Sequence, residues 1–253
     1  MDAISRMAHH VLGVIPARGG SKRCPKKNIR LFAGKPLLAW AVEAALASGV
    51  LDRVVVSTDD DAIAEIAVRA GALVPFRRPS VLAGDAVGVE PVIAHAVEWF
   101  AGHEGYTPDA VTLLLPTNPL REGRHIAEAL ALLTTSGADS VISVSELPVH
   151  HHPGWVLLRG SDGVVRLGTG HELAAITTRS QDLPPAYIRN DVVYVLRPAN
   201  IFANPSTLYG NRVELYRMEA RFDVDINTEE DWETTLRQFL RHRDAAFRAS
   251  VTG

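Results

Sequence analysis

Short, almost continuously apolar β-branched runs alternate along most of this chain with stretches of helical period. Val11 to Ile15, Val54 to Val56, Val111 to Leu115 and Val141 to Val144 read as buried strands, because a strand covered on both faces has no polar side with which to alternate. Between them, Val89, Val92, Ile93, Ala96, Val97 and Phe100 recur on one helical face, and Pro91 suits that helix's first turn. Further helices are expected over Pro36 to Ala47, Asp60 to Ala70 and Glu122 to Leu133. Strand, helix, strand in succession requires crossovers, and crossovers give a mostly parallel sheet with helices on both faces. The expected fold class is α/β.

The rhythm breaks after Val144. From Leu147 to Arg189 the chain carries Pro148, Pro153, Pro184 and Pro185, with short strand-like pieces at Val156 to Leu158 and Val164 to Leu167. This β-rich excursion is too small to fold alone and is expected to pack on the main domain or on a second subunit. The α/β pattern resumes with Val192 to Val195. Thr228 and Asp231 have capping-box spacing at the start of a last helix, with Trp232, Thr235, Leu236, Phe239 and Leu240 as its buried face. The main domain is thus read as 11–146 plus 190–241, the excursion as 147–189, and residues 1–10 and 242–253 as flexible ends.

Charge excludes several classes of function. With 26 Lys and Arg against 29 Asp and Glu, the net charge of −3 excludes a globally basic nucleic-acid binder. No hydrophobic stretch reaches the roughly 18 apolar residues of a membrane span, and the single cysteine, Cys24, cannot form an internal disulfide. A soluble protein of the reducing cytoplasm is expected.

The near-neutral total conceals two poles. Seven cations (Arg18, Lys22, Arg23, Lys26, Lys27, Arg30, Lys35) and no acid lie between residues 18 and 35, directly after the first strand and around Gly19-Gly20-Ser21. Loops at the carboxyl ends of parallel strands carry ligands, glycines admit an anion to backbone amides, and Lys and Arg supply countercharge; polyphosphate binding follows. Neither G-x-x-x-x-G-K-S/T nor G-x-G-x-x-G is present. Cys24 has no partner at the spacing of a catalytic dyad and reads as incidental.

The second pole, 219–233, holds seven acids and one cation. Asp223 and Asp225 are two apart in an alternating stretch, so an extended strand would point both carboxylates to one face. Hard oxygen ligands without His or Cys suit Mg2+. Glu229, Glu230 and Asp231 are assigned to the helix dipole. His150, His151 and His152 alternate in direction if extended, which favours packing or substrate contact over zinc. A cationic loop and paired carboxylates in one α/β domain point to metal-assisted nucleotide chemistry.

These residues resemble the acylneuraminate (CMP-sialic acid) cytidylyltransferases. Ala17 to Asn28 is similar to their A-R-x-x-S-K-x-x-x-x-K-N signature. The likeness continues in family order through Val55 to Asp59, Arg78-Pro79, Leu114 to Arg121, Gln181 to Tyr187 and Asp223-Val224-Asp225. The resemblance implies a Rossmann-like nucleotidyltransferase whose β-rich excursion serves dimerisation and the acceptor site of a homodimer. It implies transfer of CMP from CTP, with Mg2+ as cofactor and release of pyrophosphate, to an acid sugar of the nonulosonic type. By position, Arg18, Lys22, Lys27, Asp223 and Asp225 would be catalytic. Ala17, Arg18, Gly19, Gly20, Ser21, Lys22, Lys27, Asn28 and Arg78 would bind nucleotide. Leu115, Thr117, Asn118, Trp155, Arg179, Gln181 and Tyr194 would face the acceptor, and Asp223 and Asp225 would hold the metal.

The departures cluster on the acceptor side. Leu115 stands where the family usually has Gln, Trp155 where sialic acid enzymes commonly have Lys, and Asn190-Asp191 where Asn-Gly is usual. The carboxylate-binding Arg falls at Arg179 or is replaced by Ser180, and Gly88-Val89 replaces a Ser or Thr pair. Retained cytidylyl transfer with an acceptor other than ordinary N-acetylneuraminate is expected. The alternatives are another acceptor (a phosphonate, a sugar phosphate or a Kdo-like acid) or a catalytically silent nucleotide-binding homologue.

Overall fold

The β-branched runs become the strands of one sheet. The computed structural model describes residues 10–252, with side chains through 243. In chain order the elements are β1 (Val11–Pro16), β2 (Leu31–Phe32), β3 (Lys35–Pro36), α1 (Leu37–Ala47), β4 (Arg53–Ser57), α2 (Asp61–Arg69), α3 (Glu90–Glu104), β5 (Ala110–Leu113), α4 (Gly123–Ser136) and β6 (Ser140–Glu146). They continue with β7 (Leu157–Arg159), β8 (Val165–Leu167), β9 (Tyr187–Leu196), α5 (Pro198–Ile201), β10 (Val213–Met218) and α6 (Glu229–Thr252).

The six-stranded sheet has the order β10-β6-β9-β5-β1-β4. Only β9 runs antiparallel to its neighbours, β5 and β6. This is the expected mostly parallel α/β architecture. One face packs on α1 and α4 through Ile15, Leu38, Val42, Ile126 and Leu130. The other packs on α3 through Leu12, Val14, Ile93, Val97 and Phe100. A third cluster joins Cys24, Phe32 and Leu37 to Phe222, Val224, Ile226, Trp232 and Phe239. It ties the cationic loop to the acidic segment.

Two elements differ from the sequence expectation. Strand β10 has no buried residue, so its alternating exposure gave no apolar run, yet it pairs in parallel with β6 over six residues. Asp223 and Asp225 do not lie on a strand. A 3-10 turn at Ala220–Phe222 precedes them, and the chain from Asp223 to Ile226 follows other residues instead of a sheet partner. Asn118 donates from Nδ2 to the carbonyls of Phe222 (2.8 Å) and Val224 (2.9 Å), and the Ile226 amide donates to Thr117 O (3.1 Å). Alternation survives without a sheet: Phe222, Val224 and Ile226 are buried, while Asp223 and Asp225 point away.

Thr228 and Asp231 form the expected reciprocal cap, with Asp231 N donating to Thr228 Oγ1 (3.2 Å) and Thr228 N to Asp231 Oδ2 (2.8 Å). Helix α6 continues past Arg241, and Leu240 is exposed rather than buried. Residues 1–9 and 253 of the expected flexible ends lie outside the described residues. Of those described, His10 N donates to Asp109 Oδ2 (3.1 Å) and His242 Nε2 lies 3.1 Å from Glu122 Oε1. The excursion carries the small antiparallel pair β7-β8. Among the described residues no helix is long and apolar enough to cross a membrane.

Candidate active site

Strand β1 ends at Pro16 and releases the cationic loop at the carboxyl edge of the sheet, where the acidic segment also passes. Between them opens a cavity of about 540 Å3, lined by Pro16, Arg18, Ser21, Lys22, Arg23, Lys27 and Asn28 on one side. Leu115, Pro116, Thr117, Asp191, Asp225 and Asn227 line the other, with Asp85 at the cationic side. Both poles of the sequence meet here.

The loop is braced from within. Asn28 Nδ2 donates to Arg18 O (3.1 Å), the Ala17 amide to Ser57 O (3.0 Å) and the Gly19 amide to Asp59 Oδ1 (3.0 Å). The Gly19 amide is therefore taken by a carboxylate of the protein, and a Cβ there would lie 2.8 Å from Asp60 Oδ2, so glycine is required by close approach. Gly20 has open space around it and does not line the cavity.

Charge in the cavity is arranged in opposed pairs. Lys27 Nζ donates to Ile226 O (2.6 Å), fastening the cationic loop to the acidic segment. Burial pushes its ammonium pKa down, and the nearby Asp225 carboxylate opposes that shift. Asp85 bridges Arg18 Nη1 (2.6 Å) and Lys22 Nζ (2.5 Å). Those two cations hold its carboxyl below the usual range. Arg18 and Lys22 are thus paired with a carboxylate of the chain itself.

Ser145, at the end of β6, favours the ionised form of Asp223. Desolvation first, then the charges of Asp191 and Asp225, push its pKa up. A carboxyl crowded by two carboxylates is a site where a divalent cation relieves repulsion. Among the described residues no three His, Cys, Asp or Glu form a ready cage. Mg2+ takes one or two carboxylates and completes its shell with phosphate oxygens and water, so the donor set fits that ion better than a zinc site.

The expected residues divide into three groups. Arg18, Ser21, Lys22, Lys27, Asn28, Leu115, Thr117 and Asp225 line the cavity. Ala17, Gly19, Arg78, Asn118, Tyr194 and Asp223 support it without lining it. Arg78 is buried and donates through Nε to Ser57 Oγ (3.1 Å) and through Nη2 to Ser57 O, and burial pushes its pKa down to about 10. Tyr194 is buried and donates its hydroxyl to Asp191 Oδ1. Trp155, Arg179 and Gln181 stay in the excursion: Trp155 Nε1 donates to Thr177 O (2.5 Å), and Arg179 Nε lies 3.6 Å from Asp182. Gln181 lines a separate cavity of about 320 Å3 with Glu146, His152 and Pro184.

Asp85, Asp191 and Asn227 were not among the expected site residues. Asn227 adjoins the acidic pair and donates to Asp225 Oδ2, so its position beside that motif was a usable signal. Asp85 sits in a loop after Pro79 with no pattern to mark it. Of the three histidines, His152 is buried, with Nε2 3.0 Å from Pro184 O, and packs as expected. Cys24 is buried with Sγ 3.6 Å from Glu229 Oε1, and burial pushes its thiol up, which disfavours a nucleophile.

A family model described as cytidylyltransferase matches residues 12–248. The chain belongs to the cytidylyltransferase family. It is 36% identical over 236 residues to the CMP-N,N'-diacetyllegionaminic acid synthase of Legionella pneumophila, covering 93% of this chain and 98% of that one. It is 29% identical to the pseudaminic acid cytidylyltransferase of Campylobacter jejuni, covering 93% and 99%. It is 30% identical to the N-acylneuraminate cytidylyltransferase of Streptococcus agalactiae over 87% of this chain but 51% of that one. CMP:2-keto-3-deoxy-manno-octonic acid synthetase complexed with CTP shares the fold, with a TM-score of 0.65 at 15% identity over 92% of this chain and 99% of that one. In this member of the family, Arg18, Lys22, Lys27 and Asp225 face the cavity at the end of the first strand.

Proposed function

We propose that this cytidylyltransferase transfers CMP from CTP to a nonulosonic acid, releasing pyrophosphate. The observation that carries the reading is the meeting of Arg18, Lys22 and Lys27 with Asp225 in one cavity, in a chain that matches a CMP-legionaminic acid synthase over nearly its whole length. The acceptor hydroxyl attacks the α-phosphorus, a new P–O bond forms, and the bond to the pyrophosphate oxygen breaks. Arg18, Ser21 and Lys22 hold the phosphate oxygens, and Lys27 neutralises charge that develops on the transferring group. Asp223 and Asp225 would hold Mg2+, which supplies Lewis-acid stabilisation of phosphoryl charge when bound.

The same reading makes the protein a cytoplasmic homodimer, with Trp155, Arg179 and Gln181 completing the partner's acceptor site. Their absence from the lining of their own protomer's cavity supports that arrangement. Pyrophosphate release from CTP, measured with Mg2+ and a panel of sialic, legionaminic and pseudaminic acids, tests the activity. Release with at least one acid is expected; no release with any acid under any divalent metal overturns the acceptor class.

A further inference from the structure

Asp191 occupies an unusual place in this cavity. Its backbone has φ of +56°, a left-handed conformation in which glycine is at no disadvantage and a residue with a side chain is strained. It sits where the pairing of β9 with β6 shifts register, between the Ile142–Tyr194 and Val144–Arg189 pairs. That break turns a strand residue toward the cavity instead of onto the sheet face.

The break is firmly held. Asn190 Nδ2 donates to Ser145 Oγ (3.0 Å) and the Val193 amide to Ser143 Oγ (2.9 Å). Arg121 is buried and donates through Nε to Val192 O (2.5 Å) and through Nη2 to Leu115 O (2.7 Å). One guanidinium therefore fixes the backbone next to Asp191 and the backbone of Leu115. The two side chains belong to one rigid wall facing the cationic loop.

The carboxylate is also aimed. Tyr194 donates its hydroxyl to Asp191 Oδ1, and among the described residues Oδ2 has no hydrogen bond. Among the described residues Asp191 makes no ion pair, whereas Asp85 makes two, and Arg189 is the cation whose charge reaches Asp191.

We propose that Asp191 is a specificity-determining residue, whose carboxylate accepts a hydrogen bond from a hydroxyl or amine of the acceptor while Leu115 covers an adjoining apolar part of that molecule. The wall repels an acid group, so the acceptor's own carboxylate turns away from it, toward cations. The acceptor class is an acid sugar carrying a hydrogen-bond donor beside an apolar substituent. This assignment rests on the proposed acid-sugar transfer.

Asp191→Gly tests it, because glycine takes the same backbone conformation and the fold is retained, as an unchanged or higher melting temperature verifies. Steady-state kinetics with the acid that the unsubstituted protein uses is expected to show the acceptor KM raised about tenfold or more, the loss typical of a hydrogen bond to a charged group, with the CTP KM unmoved. Asp191→Asn keeps an acceptor oxygen and is expected to retain more acceptor affinity than Asp191→Gly. An unmoved acceptor KM in Asp191→Gly, or equal shifts in both KM values, overturns the assignment while leaving the transfer reading intact. No turnover of any acid sugar by the unsubstituted protein removes both.

Discussion

Single side chains in the cavity have separable jobs. Asp225 lines it and Asp223 does not, so Asp225→Ala is expected to abolish turnover while CTP still raises the melting temperature through Arg18, Ser21 and Lys22. Retained turnover would remove Asp225 from the metal assignment. Asp85 makes the opposite prediction. Its carboxylate must release Arg18 and Lys22 before phosphates take them, so Asp85→Ala is expected to lower the CTP KM, by at most about fivefold because exposed ion pairs are weak. A raised CTP KM would show that Asp85 orders those cations instead of competing for them. This competition was not legible in the sequence, since the seven-cation run shows the cations but not which acid folds over them.

At the scale of elements, the sequence was most informative where burial is two-sided. The β1, β4, β5 and β6 runs are apolar because helices cover both faces. β10 escaped because its faces are not covered: its residues alternate between exposed and half-buried, whereas β4 at the opposite edge is buried. The acidic segment was read correctly in its alternation but not in its partner: Asn118 side-chain bonds replace a strand ladder, and a lone Asn carries no sequence sign of that role. Asn118→Ala is expected to cost about 2 kcal/mol or more, because it strips partners from buried carbonyls, and to reduce turnover by loosening Asp225. A denaturant midpoint and kcat measured on the same variant check both; full turnover would mean that Lys27, the Ile226–Thr117 bond and the apolar cluster hold the segment without Asn118. His125 in α4 gives a pH prediction. Its ring is buried, its Nδ1 accepts from the Glu122 amide (3.1 Å), and burial pushes its pKa from 6.5 down to about 4. The unfolded chain takes up a proton that the folded chain refuses, so stability falls as pH drops from about 6.5 toward 4. Near pH 5 the loss is about 2 kcal/mol. His125→Gln is expected to flatten that slope in pH-dependent unfolding, and an unchanged slope would assign it to other groups.

At the scale of the whole molecule, the excursion sets the problem. Its residues Leu157 and Leu158 are 57% and 55% exposed, with Val164, Leu173 and Ile176 also open to solvent. An ordered hairpin that shows this much apolar surface is explained if a second copy covers it. The chain is expected to sediment at about twice 27.4 kDa, and Leu157→Glu with Leu158→Glu to shift it toward monomer; a monomeric unsubstituted chain would refute the homodimer. Dimerisation alone does not show that sites are shared, but mixing does. An Asp225→Ala subunit has a defective cavity and an intact excursion; an Arg179→Ala subunit has the reverse. If the excursion serves the partner's cavity, a heterodimer of the two contains one site built wholly from intact parts. Equal co-refolded amounts make half the dimers mixed, so about one quarter of unsubstituted activity is expected where each variant alone has little. If each excursion serves its own cavity, every site in the mixture carries one lesion, and mixing restores nothing.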